Sequence, residues 1–215
     1  PPEVAREQLD ELLPALRGLW TGNYAHDGSM WKFPSTTATP RPVRPEGPSL
    51  WVSARHPDVF KMAVENRANV MVAPLIKGID EVASLRDRLD EATAVVQNGF
   101  VPQMMVLRTT YVRGSGEDPM APVRAFRKDS GTFENLFSTE GKVDQGWVEY
   151  VDPEESSSRT EYNEEEISRN MMFGTSEEVV EKLREYEQLG TDVYLYDAGW
   201  GMPIASPGHA GSARR

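Results

Sequence analysis

Two segments of this chain alternate short apolar strands with amphipathic helices, and this alternation restricts the possible folds more than any other feature. In the first segment, residues 49–53 form a predicted strand, Pro57 begins a helix, and residues 69–73 form the next strand. In the second segment, residues 174–178 begin a helix and residues 192–197 form a strand. Strand, helix and strand in this order predict a parallel α/β sheet. In such sheets, functional groups gather at the carboxyl ends of the strands.

The remaining regular elements follow from apolar spacing. Apolar residues at helical intervals predict an amphipathic helix over residues 3–20 and a long helix that begins at Asp80 and ends near Gly99. Residues 103–112 form a further strand, which brings the predicted number of parallel strands to four. Between the first helix and the first strand, the proline-rich residues 21–48 predict an extended connection with a short strand near Trp31 and Phe33.

Residues 114–170 differ in kind from the rest of the chain. They combine glycine, serine and acidic residues with scattered aromatic residues, whereas a linker or a disordered tail has few aromatics. We expect an insertion with some helix, packed partly on the body of the protein. Loops of this length inside a domain are usually lids or binding loops. For the acidic run over residues 152–158, a solvated loop and a closing lid are both open interpretations.

Composition excludes several classes of function. The formal net charge of −11 argues against a nucleic-acid partner, because the phosphates of the nucleic acid would repel the chain. No apolar run approaches the length of about 20 residues that a membrane span needs, so we expect no membrane association. The absence of cysteine excludes disulfides and thiolate metal sites and is typical of a cytoplasmic protein. Because His26, Asp27 and Glu46 lack metal-ligand spacing, we predict no metal site.

The order of several motifs along the chain resembles that of the luciferase-like flavin monooxygenases. In that family, an aromatic segment, a proline-rich crossing and a strand lead into a helix, and a later Gly-Thr-Pro-Glu-Glu-Val element opens another helix. The corresponding motifs here are Leu19-Trp20, Trp31-Lys-Phe33, Arg41-Pro-Val-Arg-Pro45, Leu50-Trp-Val-Ser-Ala-Arg55, Met172-Phe-Gly-Thr-Ser-Glu-Glu-Val-Val180 and Leu189-Gly-Thr-Asp192. The insertion falls where bacterial luciferase carries its mobile active-site loop. The resemblance extends over most of residues 3–199.

The resemblance implies an α/β fold that is a partial (β/α)8 TIM barrel, with strands five to eight and a long insertion before the seventh helix. Residues 1–200 then form the C-terminal half of a barrel domain, with the insertion at 114–170, and residues 201–215 form a disordered tail. A closed barrel needs at least about 200 residues without such an insertion. We therefore expect an open sheet that needs a partner copy, a further segment or a rearrangement, and hence a homo-oligomer.

The resemblance also implies a function, that of an FMN-dependent monooxygenase of the two-component type. A separate flavin reductase supplies the reduced FMN, which oxidises a small organic substrate with O2. In this family the residues that act on the reduced flavin come largely from the first strands, so we expect the chain alone to be inactive or nearly so. The alternatives are a non-catalytic FMN-binding flavoprotein, an F420-dependent oxidoreductase of the same fold, and an interaction module that works through the acidic insertion.

A turn at the carboxyl end of the first strand is the candidate cofactor site. It consists of Ser53, Ala54, Arg55 and His56. Free N–H groups and the dipole of the following helix favour an anion there, and Arg55 adds a fork of donors suited to phosphate. The resemblance implies that this turn contacts the FMN phosphate, but Arg55 stands where the family often has a small hydroxyl residue. In the alternative interpretation, Arg55 pairs with Asp58 or Glu65 and His56 caps the helix.

Candidate substrate-binding residues follow the later strands. They are Arg108, Tyr111 and Trp200. An arginine within an apolar strand must be paired or face a polar cavity, so Arg108 binds either an anionic substrate group or a flavin carbonyl, or else forms an ion pair with Asp197 or a glutamate. Trp200 lies in a glycine-containing turn and either covers a ring or packs within the turn. We predict that Lys77, after the second strand, is a solvated loop lysine.

Overall fold

The computed structural model of the chain describes residues 2–134, 142–152 and 162–197. Within these ranges the helices are α1 (Pro2–Thr21), α2 (Pro57–Glu65), α3 (Ile79–Val96), α4 (Ala121–Glu134), α5 (Glu164–Asn170) and α6 (Ser176–Gln188). The strands are β1 (Tyr24–Asp27), β2 (Lys32–Thr36), β3 (Trp51–Ser53), β4 (Asn69–Val72), β5 (Met104–Val112), β6 (Val143–Asp144), β7 (Trp147–Val148), β8 (Met172–Gly174) and β9 (Val193–Asp197). The chain divides into two compact units, residues 1–72 with 84–105 and residues 73–83 with 106–215. Helix α3 and strand β5 contribute residues to both units.

The first unit contains the βαβ segment that the sequence predicts. Strands β3 and β4 pair in parallel, with Trp51 opposite Asn69. Helix α2 begins at Pro57, as predicted, because proline lacks an N–H group that the first helical position would leave without an intrahelical partner. The apolar face of α2 is buried, and Phe60 and Val64 are among its fully buried side chains. This packing fixes the direction in which the chain leaves β3.

A hairpin occupies part of the predicted extended connection. The predicted short strand is present as β2, but its partner β1 and their antiparallel pairing were not predicted. His26 lies opposite Phe33, and their rings stack with centroids 5.7 Å apart. The Gly28 N–H group donates to the Trp31 carbonyl at 3.0 Å and closes the turn. The predicted short strand is therefore confirmed, and the hairpin over residues 24–36 adds a partner strand that the sequence did not predict.

The second unit is organised around the remainder of β5. Strand β8 pairs with it in parallel, with Thr110 opposite Met172, and β9 also pairs with β5. Helix α6 lies between β8 and β9 in sequence, begins within the predicted residues 174–178 and starts with a capping box. The Thr175 hydroxyl accepts from the Glu178 N–H group, and the Glu178 carboxylate accepts from the Thr175 N–H group. Gly190 follows the helix with a φ of +80°, which is the conformation expected after a helix end.

The predicted α/β class with parallel strand pairing is confirmed, and the described part of the sheet has one strand more than predicted. From the sequence, the residues of β8 were interpreted only as the segment that leads into a helix, and not as a strand. A segment of three residues is too short to show the alternation by which a strand is recognised. The strands of the sheet in the described part of the chain are β3, β4, β5, β8 and β9.

The predicted insertion contains helix, as expected, and packs on the second unit. Buried residues of α4, α5 and β8 form one apolar cluster, which consists of Val123, Phe126, Ile167, Met171 and Phe173. The Val151 N–H group donates to the Gly131 carbonyl of α4 at 3.1 Å. A Cβ atom at Gly131 would lie 2.2 Å from the Val151 carbonyl oxygen, so only glycine allows this approach.

Some predictions fall on other parts of the chain. Most of the predicted acidic loop, residues 153–158, and the predicted disordered tail, residues 201–215, lie outside the described residues. The predicted domain limits stay a prediction. Helices within the described ranges lack the combination of length and apolar character that crossing a bilayer requires.

Candidate functional site

The predicted cofactor turn lies between β3 and α2, at the carboxyl end of β3. Ser53, Arg55 and His56 are exposed, whereas Ala54 is only 4% exposed. The Ala54 N–H group donates to the Met71 carbonyl at 2.9 Å. This bond continues the pairing with β4 past the last residue of β3 and fixes where the turn begins.

The N–H groups in the first turn of α2 are bonded within the chain. His56 is the N-cap: its Nδ1 atom accepts from the Asp58 N–H group at 3.3 Å, and its carbonyl accepts from the N–H groups of Val59 at 2.9 Å and Phe60 at 3.4 Å. Pro57 has no N–H group. The expectation of free N–H groups is therefore wrong for the first turn of α2, and the predicted alternative, that His56 caps the helix, is observed.

A second cation at this turn, Arg88, was not predicted from the sequence. The Nη1 atom of Arg88, on α3, donates to the Arg55 carbonyl at 2.6 Å. Arg88 lies 33 residues away from Arg55 in sequence, and only the packing of α3 brings it to the turn. The turn thus combines one guanidinium group of its own with another that fixes its backbone.

Arg108 lies in the interior of the second unit and is 1% exposed. Its Nε atom donates to the Tyr186 hydroxyl at 2.9 Å. Its Nη1 and Nη2 atoms donate to the backbone carbonyls of Leu75 and Lys77. Each nitrogen of the guanidinium group therefore has a partner within the chain, two of them in the loop after β4. The predicted contact of Arg108 with a substrate stays a prediction.

The loop after β4, residues 74–78, has three successive carbonyls that are bonded to side chains. Besides the two bonds from Arg108, the Nδ2 atom of Asn170 donates to the Ile76 carbonyl at 3.1 Å. Leu75 adopts a φ of +56°, and its side chain is 56% exposed. Sequence reasoning did not identify Asn170, because a lone asparagine at the end of a short helix carries no pattern.

Two tyrosines from α6 and β9 lie beside Arg108. The Tyr194 hydroxyl and the Thr110 hydroxyl are 2.5 Å apart. Burial raises the pKa of Tyr194 to about 12, although the bond with Thr110 opposes this shift. The ring of Tyr194 meets that of Tyr186 edge to face, with centroids 6.2 Å apart. Both tyrosines also line a cleft of about 290 Å³ between α6 and the start of β9.

Tyr111 lies on the other face of β5 from Arg108, because side chains alternate along a strand. Its ring packs against the apolar cluster of α4, α5 and β8, and its hydroxyl donates to Glu117 at 3.0 Å. The hydrogen bond to Glu117, together with burial and charge repulsion, raises the pKa of Tyr111. Arg108 and Tyr111 are thus not brought together. Trp200, the third predicted substrate residue, lies outside the described residues.

Lys182 is a half-buried cation of the second unit. Its Nζ atom donates to the carbonyl of Met171 at 2.6 Å and lies 3.4 Å from the carbonyls of Ser168, Arg169 and Phe173. These carbonyls belong to the end of α5 and to β8, so the ammonium group sits at the negative end of a helix dipole. Burial lowers the pKa of Lys182, while Glu178 and Glu185 oppose this shift. The arrangement ties α6 to the insertion.

A compact polar cluster in the first unit surrounds Glu11 of α1. The carboxylate accepts from the N–H groups of Ser29, Met30 and Trp31 in the β1–β2 turn, and from the Nε2 atom of His26 at 3.0 Å. The N–H group of Met30 makes the largest contribution to lowering the pKa of Glu11 from 4.5 to about 2. This cluster attaches the hairpin to α1.

Comparison with known proteins identifies relatives by sequence. A sequence model of the luciferase-like monooxygenase family matches residues 1–193. The oxygenase component of the flavin-dependent trigonelline monooxygenase of Acinetobacter baylyi is 35% identical over 198 residues, which cover 92% of this chain and 55% of that protein. An uncharacterised protein of Mycobacterium tuberculosis is 33% identical over 108 residues, 50% of this chain and 37% of that protein. The chain spans about half the length, or less, of these relatives.

Solved structures agree with the predicted fold. An F420-dependent secondary alcohol dehydrogenase in complex with an F420–acetone adduct superposes with a TM-score of 0.66 at 14% identity, covering 90% of this chain and 56% of that one. The oxygenating constituent of 3,6-diketocamphane monooxygenase of Pseudomonas putida, in complex with FMN, superposes with a TM-score of 0.56 at 14% identity, with the same coverage. At such identity the likeness shows the fold alone. It confirms the predicted partial barrel.

Proposed function

The chain belongs to the luciferase-like monooxygenase family, and we propose that it is the FMN-binding oxygenase component of a two-component system, or a part of one. In this proposal, a separate reductase supplies reduced FMN, and O2 and the flavin oxidise a small organic substrate. The observation that carries the proposal is the family match over residues 1–193, supported by 35% identity to an oxygenase component over 92% of the chain. The bound flavin supplies the redox chemistry, and the protein supplies binding and orientation.

We propose that the turn after β3 holds the phosphate of FMN. Ser53, Arg55 and His56 are exposed there, and Arg88 fixes the backbone of the turn through its bond to the Arg55 carbonyl. Because the first-turn N–H groups are already bonded, the side chains carry the recognition, with the dipole of α2 as a further favourable field. The imidazole of His56 lies at the same turn and caps the helix through its Nδ1 atom, which leaves the Nε2 side of the ring for a ligand.

The predicted residues of the second unit remain proposed substrate contacts. The hydroxyl of Tyr111 is oriented by Glu117 at 3.0 Å. Arg108 has each guanidinium nitrogen bonded within the chain, and a direct contact with an anionic substrate would use the second N–H group of Nη1 or Nη2.

A flavin titration tests the proposal. Oxidised FMN and riboflavin, which lacks the phosphate, are titrated against the wild-type chain, Arg55→Gln and the control Arg44→Gln, an exposed arginine elsewhere in the first unit. We expect Arg55→Gln to weaken FMN binding about tenfold, which corresponds to about 1.4 kcal/mol, and to leave riboflavin binding and the control unchanged. Equal losses for FMN and riboflavin would contradict the assignment of the phosphate to this turn.

A second measurement separates the alternatives for catalysis. O2 consumption is followed with NADH and a general flavin reductase, and then with reduced F420 in their place. Flavin binding without an oxidised product that depends on NADH and the reductase supports the binding-only flavoprotein. Binding of F420 in preference to FMN supports the deazaflavin-dependent oxidoreductase and contradicts the proposed monooxygenase.

A further inference from the structure

The turn after α3, residues 97–100, contains the one asparagine–glycine pair of the chain, Asn98-Gly99. We infer that this pair is a site of spontaneous deamidation in the folded protein, and that the reaction removes a hydrogen bond that ties the turn to α2. The site lies within the first unit, and the inference is independent of the proposed function. It assigns the chain a covalent modification that adds a negative charge.

Deamidation of an asparagine uses its side chain, the next peptide nitrogen and water. The deprotonated nitrogen of Gly99 attacks the Cγ atom of Asn98, so that a Cγ–N bond forms and the Cγ–Nδ2 bond breaks. Ammonia leaves with the proton that the Gly99 N–H group has lost. Water then opens the cyclic imide at either of its carbonyls and gives aspartate or isoaspartate. Glycine in the second position favours the attack, because it has no Cβ atom beside the nitrogen.

The structure leaves the nitrogen of Gly99 available for this attack. Asn98 and Gly99 are exposed, and within the described residues the Gly99 N–H group has no hydrogen-bond acceptor. The Phe100 N–H group donates to the Oδ1 atom of Asn98 at 3.0 Å and closes a ring that contains the Gly99 nitrogen. The same bond stabilises the oxygen on which negative charge develops when the Cγ atom is attacked. The turn therefore combines an unbonded nucleophile with a polarised carbonyl.

The Asp27-Gly28 pair of the β1–β2 turn is an internal comparison. Aspartate before glycine forms the same cyclic imide, with water instead of ammonia as the leaving group. Here the Gly28 N–H group donates to the Trp31 carbonyl at 3.0 Å, and the Asp27 carboxylate pairs with Lys32. Attack by the Gly28 nitrogen thus requires the hairpin turn to open. The fold blocks one of these two chemically similar pairs and permits the other.

The reaction changes the contact between the turn and α2. The Nδ2 atom of Asn98 donates to the carbonyl of Val64, in the last turn of α2, at 2.8 Å. A carboxylate has no proton to donate, so after the reaction two acceptor oxygens face each other. The Nη1 atom of Arg67 lies 3.5 Å from the Asn98 carbonyl oxygen, and its guanidinium group lies over the Phe100 ring. We expect the new carboxylate to pair with Arg67, and an exposed ion pair of this kind contributes little to stability.

Peptide mapping by mass spectrometry tests the site. The wild-type chain is incubated at mildly alkaline pH, once folded and once in urea, and aspartate and isoaspartate are measured at each asparagine and at Asp27. In the folded chain we expect Asn98 to react at least about tenfold faster than the exposed Asn23, which corresponds to about 1.4 kcal/mol of activation free energy. We expect isoaspartate at Asp27 to form at least about tenfold more slowly in the folded chain than in urea.

Two results of this mapping would overturn the inference. One is a rate at Asn98 in the folded chain that is about tenfold or more below its rate in urea, because the fold would then protect the pair. The other is a rate at Asn98 no greater than that at Asn23. Gly99→Ala gives an independent measurement, since the added Cβ atom obstructs the nitrogen, and we expect it to slow the reaction at Asn98 about tenfold. An unchanged rate in Gly99→Ala would contradict the role of the Gly99 nitrogen.

The effect of the product is measured with Asn98→Asp, which carries the carboxylate from the start. Asn23→Asp is the matched control, because the Oδ1 atom of Asn23 accepts from the Thr37 hydroxyl at 2.6 Å and an aspartate can do the same. We expect a lower urea midpoint for Asn98→Asp and an unchanged midpoint for the control. We also expect Arg67→Gln to lower the midpoint more in the Asn98→Asp background than in the wild type. Equal midpoints for Asn98→Asp and the wild type would overturn the claim that the reaction removes a stabilising bond.

Discussion

At the scale of single residues, Glu11 shows how one carboxylate fastens a hairpin to a helix. Its side chain is 19% exposed and accepts hydrogen bonds from three successive N–H groups of the β1–β2 turn and from His26. Hydrogen bonds to the charged form favour ionisation, which is why the pKa of Glu11 falls to about 2. The ionised form is therefore the one that the folded chain stabilises.

The pH dependence of stability tests this role of Glu11. A carboxylate whose pKa is depressed in the folded state stabilises the fold above its ordinary pKa of 4.5, and this contribution is lost as the pH falls toward 2. We expect Glu11→Gln to lower the urea midpoint at pH 7 and to differ progressively less from the wild type below pH 4.5. Glu7→Gln, an exposed position on the same helix, is the control. A difference between Glu11→Gln and the wild type that stays constant from pH 7 to pH 3 would contradict the assigned pKa.

Single residues also show which features of a site can be predicted from the sequence and which cannot. The argument that an arginine in an apolar strand must be bonded holds for Arg108, which is buried and bonded through each nitrogen of its guanidinium group. The argument could not supply the partners, because they are a tyrosine 78 residues away and carbonyls 31 and 33 residues away. Backbone carbonyls have no sequence signature. For the same reason, Arg88 and Asn170 were not identified.

At the scale of elements, the sequence predicted the helices and strands whose apolar residues recur at a regular spacing and whose ends carry clear signals. Helices α2 and α6 have a proline or a capping box at the start, and both begin where predicted. Strand β8 was not predicted, because its three residues are recognised only by their pairing with β5. The hairpin of β1 and β2 was not predicted either, because it depends on Glu11, which lies 18–20 residues before the turn residues that it binds. Local patterns encode the start of a helix, whereas they do not encode a strand that exists only through its neighbour.

Packing between elements of the insertion depends on one glycine. A Cβ atom at Gly131 would meet the Val151 carbonyl oxygen at 2.2 Å and the Tyr150 ring at 2.7 Å. We expect Gly131→Ala to strengthen α4 by about 1 kcal/mol through helix propensity and to displace residues 142–152 from it, because the clash costs about 1–3 kcal/mol. Hydrogen exchange should then slow at amides within α4 and accelerate at Val151, whose N–H group donates to Gly131. Slower exchange at both places would show that the segment accommodates the methyl group. Gly22→Ala is the control, because a Cβ atom there has no neighbour within 4 Å.

At the scale of the whole molecule, the proposed function places a negatively charged cofactor, FMN, on a chain of negative net charge. The formal net charge is −11, whereas the proposed phosphate site has Arg55 in its turn and Arg88 of α3 bonded to the Arg55 carbonyl. The attraction within the site acts over a few ångströms, and the repulsion from the whole chain acts over the Debye length. This length is about 30 Å at 10 mM salt and about 8 Å at 150 mM. A change in ionic strength therefore separates the local attraction within the site from the long-range repulsion by the whole chain.

The rate of FMN association should report the repulsion by the whole chain. We expect this rate to rise several-fold as salt increases from about 10 mM to about 150 mM, because screening removes the long-range repulsion before it affects contacts inside the site. Riboflavin, which lacks the phosphate and is uncharged, should associate at the same rate throughout. The dissociation rate of FMN should change less than its association rate over this range, and Arg55→Gln should raise the dissociation rate at every salt concentration. An association rate of FMN that falls as salt increases would mean that the local cations dominate the approach of the ligand, and that the net charge of the chain has no part in it.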